Sequence, residues 1–549
     1  VVLKRHYNST TGRDVDNSIG YDTYYVYDDF GNLTFVLPPK LSEQIVSGSS
    51  LVGNHQHLLD VLGYRYTYDY RNRLIRKKLP GRQLESITYD ALNRVIAVGP
   101  VPNPFDGGST EGYIHTKYDK FNRVVYTLWM QGPSMMPTGL DPLPPPLSET
   151  PTTSPTTIDG VGVYYTANVT PTAGVKLLTV NYYDDYRFGW APGTLPTSVL
   201  SQTVYYNKTT QKPKGLPTGS WVRVLEGAND INATTTYTLY DKKSRAIRVH
   251  SNNYLDGYTT VDSKYDFSGK VLQTVTTHQY DANADPIEVV ETFSYTAQDR
   301  LAAQTHEINS SGTEEQLLQN SYDELGQLST KRVGGQVTLG GQPGLQKVDY
   351  TYNIRGWLTG INDVSDLQQG TDPVDLFAFD IRYNDVGISN GGLVGPLYNG
   401  NIARTYWRTA SDNIRRSYGY SYDYLNRLLD GFYSIPGANI YHSYNENLAY
   451  DSNGNITALL RNGEVEDATL TQEIDNLTYE YDDGNRLINV SDGGNKDPNG
   501  FYDGNDHTEL DGKNDFVYDD YGNLIIDRNK SIDEITYNHL HLPKKITVI

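Results

Sequence analysis

The stretch Tyr25-Val26-Tyr27-Asp28-Asp29-Phe30-Gly31-Asn32-Leu33 sets a pattern that returns through the chain. A tyrosine and an aspartate are followed by two variable residues, a glycine or asparagine, a polar residue and an aliphatic. Clear copies begin at Tyr68, Tyr89, Tyr118, Tyr265, Tyr322, Tyr422, Tyr450, Tyr481 and Tyr518. Degenerate copies begin at Tyr240, Tyr295 and Tyr352, and Tyr398-Asn399-Gly400-Asn401-Ile402 and Tyr537-Asn538-His539-Leu540 read as eroded ones. Self-similarity at a spacing of tens of residues dictates architecture before any single residue does.

Each slot has a physical role. The aspartate (Asp28, Asp69, Asp90, Asp119, Asp423, Asp519) suits the first position of a type I turn, where its carboxylate accepts a backbone N–H two residues on. Three positions later stand Gly31, Asn72, Asn93, Asn122, Gly269, Gly326, Gly356, Asn426, Gly454, Asn485 and Gly522, with Ser244 and Asp299 in the poorest copies. Glycine and asparagine enter the left-handed region most cheaply. A type I turn closed by one left-handed residue is a three-residue hairpin loop with a G1 bulge. Each copy is therefore predicted to be a hairpin tip rather than a ligand site. Aromatics two residues before the motif tyrosine (Tyr25, Tyr66, Phe293, Tyr350, Tyr420, Tyr479, Phe516) share its strand face. The aliphatic (Leu33, Leu74, Leu428 and their equivalents) starts the return strand, and stacked hairpins would carry ladders of tyrosine.

The Y-D-x-x-G-N/R-L pattern resembles the YD repeat of the RHS family, which includes bacterial polymorphic toxins, the shell of insecticidal toxin complexes and teneurin ectodomains. Tyr68-Asp69-Tyr70-Arg71-Asn72-Arg73-Leu74 and Tyr422-Asp423-Tyr424-Leu425-Asn426-Arg427-Leu428 carry the resemblance most closely. It spans most of the chain except roughly residues 129–235. The hairpin arithmetic implies an all-β chain forming an extended sheet; the resemblance implies that the long twisted sheet winds into a hollow shell.

Composition fits such a wall. Among 549 residues there are 47 Tyr against 12 Phe, 5 Trp and 3 Met, and the hydrophobic fraction is 37%. Cysteine is absent, which excludes disulfides, thiolate nucleophiles and Cys-based metal sites. With 46 basic and 66 acidic residues the net charge is −20, and an acidic chain without a basic stripe argues against nucleic-acid binding. No apolar run is long enough to span a bilayer as a helix. The start at Val1 and the strand-like end Ile546-Thr547-Val548-Ile549 suggest a fragment of a longer chain.

Residues 1–128 form a first repeat block, with a short helix expected near Leu58-Leu59. Residues 129–159 are a Pro/Ser/Thr-rich insertion, in which the composition of Gln131–Thr157 favours polyproline II or disorder over a sheet, and a protruding loop is expected rather than a segment tucked across the shell. Residues 160–235 are strand-rich without a clear motif, and Asp184-Asp185-Tyr186-Arg187-Phe188-Gly189-Trp190 reads as an exposed aromatic loop. Residues 236–549 form the second block, with strands continuing through Phe379-Asp380-Ile381-Arg382-Tyr383 and Tyr406-Trp407 and an acidic glycine-rich loop at Ser491–Asp515. The four stretches are expected to form one continuous shell.

Candidate chemistry is sparse. His55 with His57, and His539 with His541, would share a strand face and could each offer two imidazoles to a metal, without a third ligand. Asp14, Asp16 and Ser18 begin like a calcium loop, but Ile19 and Tyr25 stand where that loop needs Gly and Glu. Asp497, Asp503, Asp506, Glu509 and Asp511 form a richer oxygen cluster, and the plain reading is a solvated loop. Asp497-Pro498-Asn499-Gly500 matches the D-P-x-G string at which toxin-type relatives cleave themselves. It is followed by further copies at Tyr518 and Tyr537, so it reads as a turn and the role is not transferred. No phosphate loop, nucleophile elbow or HExxH string occurs.

The residues thus point to structural repeats (Tyr27, Asp28, Gly31, Leu33, Tyr68, Asp69, Asn72, Leu74, Tyr89, Asp90, Tyr118, Asp119, Tyr422, Asp423, Asn426, Leu428, Tyr518, Asp519, Gly522), with no catalytic, cofactor or metal residue. The resemblance implies a secreted or cell-surface bacterial shell enclosing a C-terminal cargo, often a toxin, with secretion proteins or a receptor as further partners. The alternative is a cell-surface adhesion or glycan- or protein-binding module that uses the outer face, with the Tyr182–Trp190 and Pro-rich loops as contacts. A glycan-acting enzyme would need a constellation that the sequence does not single out.

Overall fold

The computed structural model describes all residues except 8–19, 47–54, 109, 133–146, 337–343, 386–393, 468, 495–496 and 504–513. The described chain is nearly all β, with two short α-helices (Pro39–Val46 and His55–Val61) and one 3-10 turn (Arg528–Lys530). The sequence predicts a helix near Leu58; the second one, at Pro39, uses proline at a helix start, where no N–H is needed.

Successive strands pair antiparallel through tips of one design. At the first tip Tyr27 pairs with Leu33, Asp28 N–H donates to Asn32 C=O (2.9 Å), and Gly31 N–H donates to Asp28 C=O (3.1 Å). The same two bonds recur at Asp69, Asp90, Asp119, Asp241, Asp323, Asp423, Asp451 and Asp519. Left-handed φ angles occur at Gly31 (82°), Asn72 (60°), Asn122 (64°), Asn426 (63°) and also at Ser244 (62°) and Asp299 (63°). Asn485 is the exception among the predicted positions and is not left-handed.

A second irregularity follows each tip. After Tyr27↔Leu33 the next pair is Val26↔Phe35, so the return strand carries one extra residue. The shift repeats at Tyr68, Tyr118, Tyr265, Tyr295, Tyr322, Tyr422, Tyr450, Tyr481 and Tyr518. Bulges bend a strand and increase its twist, so every repeat adds twist in the same sense.

The described residues form two compact units. The first comprises Val1–Ser86, Val348–Tyr537 and His541–Ile549. Within it, the tips of the later repeats are covered by the connections between the early strands. Lys40 N–H donates to Asn453 Oδ1 (2.9 Å) and Lys40 Nζ to the Gly484 carbonyl (3.0 Å). Gln83 N–H donates to the Asp520 carbonyl (2.7 Å), and Ser452 Oγ donates to Glu43 (2.9 Å). A Cβ on Gly484 would lie 2.7 Å from the Val61 carbonyl oxygen, so glycine permits that approach. The last repeats form a separate four-stranded sheet, Phe516–Tyr518, Leu524–Asp527, Ile532–Tyr537 and Pro543–Val548.

The second unit comprises Ile87–Lys347 with Asn538–Leu540. It holds the main apolar core. Val125, Tyr126 and Leu128 of strand Val124–Gln131, Leu177 and Val180 of Val175–Tyr183, and Trp221 and Leu239 present one sheet face. The hairpin Pro151–Ile158/Val161–Tyr165 and an aromatic loop close over it. Tyr165 stacks on Tyr182 (5.3 Å) and Tyr182 on Phe188 (5.0 Å). Each such buried side chain contributes about 2 kcal/mol.

Three expectations are corrected here. The Asp184–Trp190 loop is not exposed: Tyr186 and Phe188 are 2% and 5% accessible, because they fill the gap over Trp221 and Leu239. The Pro-rich stretch does not protrude throughout. Its C-terminal part, Pro151–Ile158, is a strand whose pairing among the described residues is with Val161–Tyr165, and edge strands tolerate proline. Residues 133–146, including Pro144-Pro145-Pro146, lie outside the described residues. The boundary placed at 128/129 falls within strand Val124–Gln131.

Candidate functional site

Beyond the tips themselves, an arrangement that recurs within both units is the coupling of one repeat to the next. The motif tyrosine's hydroxyl donates to the carbonyl of the preceding repeat's aliphatic residue. Tyr118 bonds Val95 (2.7 Å), Tyr295 bonds Val271 (2.9 Å) and Tyr322 bonds Leu301 (2.8 Å). Tyr422 bonds Ile402 (3.0 Å), Tyr450 bonds Leu428 (2.7 Å), Tyr481 bonds Ile456 (2.8 Å) and Tyr537 bonds Leu524 (2.6 Å). The eroded copies at 398–402 and 537 thus still serve the ladder. Burial pushes the phenols of Tyr118, Tyr450 and Tyr481 up, so they remain protonated donors.

The aspartate locks its own tip. Asp28 Oδ1 accepts from the N–H groups of Phe30 (3.0 Å) and Asn32 (2.8 Å). The side-chain amide of Asn32, joined by these backbone donors, holds the Asp28 carboxyl below the usual range. The polar slot before the aliphatic, to which the sequence reading gives no role, is the second half of the lock. Arg73, Arg94, Arg123 and Arg486 each donate Nε to the aspartate four residues earlier at 2.7 Å, and Arg245 and Arg427 do so at 2.6 Å. The same guanidinium covers the next motif tyrosine: Arg94 over Tyr118 (4.7 Å), Arg245 over Tyr265 (5.0 Å), Arg427 over Tyr450 (4.8 Å). Arg427 Nη1 also donates to the Asp451 carbonyl (2.9 Å).

Two further copies were hidden. Tyr183 donates to Val124 C=O (3.1 Å), and Arg123 clamps Asp184 while stacking on Tyr183 at 4.3 Å. That clamp holds the Asp184 carboxyl low. Tyr383 donates to Leu358 C=O (3.1 Å). Both are Tyr-Asp or Tyr-Asn pairs followed by a long insertion, so the turn signal is missing while the tyrosine signal remains. The segment 160–235 therefore carries the ladder without the tip.

The other candidates do not assemble. His57 lies on helix His55–Val61, where residues two apart do not share a face, and it pairs with Asp483 (3.0 Å). Of His55 only the backbone is described. His541 sits in a turn at φ 58° beside Asn523 rather than on a strand with His539. Asp14, Asp16, Ser18, Asp506, Glu509 and Asp511 lie outside the described residues. Among the described residues no group of three or more His, Asp or Glu is placed to hold a metal. Asp497-Pro498-Asn499-Gly500 forms a turn closed by Gly500 N–H to Asp497 C=O (3.0 Å). No described helix is long and apolar enough to cross a membrane.

No family model matches the chain, and no curated protein matches it. Among solved structures, the TcdB2-TccC3-Cdc42 crystal structure aligns with 87% of this chain and 22% of that chain, at 12% identity and a TM-score of 0.29. A Tc holotoxin pore of Photorhabdus luminescens with a substituted TccC3 aligns over 96% and 26%, at 12% identity and a TM-score of 0.30. TcdB2-TccC3 without its hypervariable C-terminal region aligns over 100% and 27%, at 12% identity and a TM-score of 0.29. The chain spans about a quarter of the length of these structures.

Proposed function

We propose that the chain is a structural wall of the RHS/YD-repeat kind, built to enclose and shield a C-terminal cargo during export and delivery. The observation that carries this reading is the ladder itself. Among the described residues the motif hydroxyls hold the preceding repeat, the aspartates hold their own tips, and in six copies an arginine clamps the tip aspartate. In this reading the wall is not a catalyst, takes no cofactor, and leaves the chemistry to the cargo; it acts outside the cell or at its surface.

A second reading, an adhesive outer surface, is favoured by a different observation from the one first expected. The aromatic loop is buried, but the apices of several tips carry large apolar side chains in the open. Phe121 is 75% and Phe267 88% exposed. Such side chains mark contact surfaces when they cluster.

Limited proteolysis with mass spectrometry of the full-length natural protein separates the readings. A resistant repeat body that retains a protected, separately cleaved C-terminal polypeptide is expected. A resistant body that retains nothing sinks the cargo reading and promotes the adhesive one.

A further inference from the structure

A buried lysine and glutamate in the second unit have no part in the ladder. Lys117, on strand Glu111–Tyr118, and Glu149, just after the 133–146 stretch, are 2% and 0% accessible, with Nζ 3.6 Å from Oε1. The two partners are unequally served. Glu149 Oε1 accepts from the N–H of Val169 (2.9 Å), and Oε2 accepts from the N–H of Asn168 (3.1 Å) and the Thr166 hydroxyl. Lys117 Nζ has no acceptor within hydrogen-bond distance among the described residues; beyond Glu149 it has the face of Tyr126, with the ring centroid 5.9 Å away. An ammonium carries three donors, and burying it without acceptors is costly. A proton passed from the ammonium to a carboxyl oxygen in the course of reaction frees the amine and readies that oxygen to leave. Burial lowers the lysine's affinity for that proton.

We propose that Lys117 and Glu149 are joined by an intramolecular amide bond. The Lys117 amine attacks Glu149 Cδ; an N–C bond forms, one C–O bond breaks, and the hydroxyl leaves with an amine proton as water. No oxidant, reductant or co-reactant is needed. The Asn168 and Val169 N–H groups lie where charge develops on the carboxyl oxygens, the arrangement that stabilises a tetrahedral intermediate. Fixed proximity replaces a bimolecular encounter. His115 is two residues before Lys117 on the same strand and also buried, and its Nε2 is buried without a hydrogen-bond partner. It is placed on the same strand face to accept the proton that the attacking nitrogen sheds.

The bond would staple the strand entering the Tyr118 tip to the segment that follows residue 146. That segment is already docked by Glu149 N–H to Tyr118 C=O (2.8 Å) and Arg94 Nη2 to Leu147 C=O (2.6 Å). In a chain without cysteine it would play the loop-closing part that a disulfide plays elsewhere.

Intact mass spectrometry of the purified, denatured 549-residue chain tests this without any variant. The expected mass is one water below the sequence mass, and the protease digest contains the Lys117 peptide joined to the Glu149 peptide. Lys117→Arg keeps the charge but not the nucleophile and restores the full mass. A full sequence mass in the unmodified chain, with Lys117 acetylated by reagent after denaturation, overturns the proposal and leaves a buried ion pair.

Discussion

Tyr450 shows how much one side chain does in this architecture. Its hydroxyl holds the Leu428 carbonyl at 2.7 Å, its ring carries Arg427 at 4.8 Å, and the carbonyl of the following Asp451 accepts from the same arginine. Deleting only the hydroxyl leaves a half-buried carbonyl without that donor. Tyr450→Phe is therefore expected to destabilise by about 1 kcal/mol in urea unfolding. Tyr280, 62% exposed and outside the ladder, provides the control; Tyr280→Phe is expected to be neutral. Equal stabilities for the two variants would remove the hydroxyl ladder from the energetics and leave ring packing alone.

At the scale of the element, the hairpin is a closed electrostatic and conformational unit, and its two halves were unequally legible. The tips could be read because turn chemistry is local: aspartate, then a residue tolerant of positive φ, needs no knowledge of what lies nearby. Asn122 allows that backbone term to be isolated. It sits at φ 64° and its Oδ1 accepts from Arg94 (3.0 Å). Asn122→Ala and Asn122→Gly both lose that bond, so the difference between them reports the left-handed backbone. The alanine variant is expected to be less stable by about 1 kcal/mol; equal stabilities would mean the turn relaxes. What was not legible depends on neighbours distant in sequence. The arginine slot looked merely polar because its partners are a carboxylate four residues back and a ring in the next repeat. Tyr183 was hidden because an insertion replaces its tip. Tyr186 and Phe188 looked like a surface loop because nothing local announces that a sheet face lies beneath them. The prolines of 151–158 argued against a strand, and only the single-sided pairing with Val161–Tyr165 makes them tolerable.

For the whole molecule, acid stability separates into two windows that belong to different groups. The tip carboxylates, such as Asp28 and Asp69, have folded pKa values below the ordinary carboxylate range. They stabilise the fold above about pH 4, and that contribution is lost only as pH falls through the lower folded values. The buried histidine acts higher. His115 is held down from 6.5 to about 4, chiefly by burial. The unfolded chain then binds a proton that the folded chain refuses, so stability is complete above about pH 6.5 and declines as pH falls toward 4. A shift of that size corresponds to about 3 kcal/mol across the window. His250 and His541 are shifted in the same direction, both chiefly by burial, and add to the same decline. Thermal unfolding from pH 7 to pH 4 should therefore show a falling midpoint well before the carboxylates titrate. His115→Leu, which fills the buried site without a titrating group, should flatten most of that slope while leaving the steeper loss below pH 4 intact. An unchanged slope in the variant would show that His115 takes its proton in the folded chain as readily as in the unfolded one, and would assign the upper window to His250 and His541.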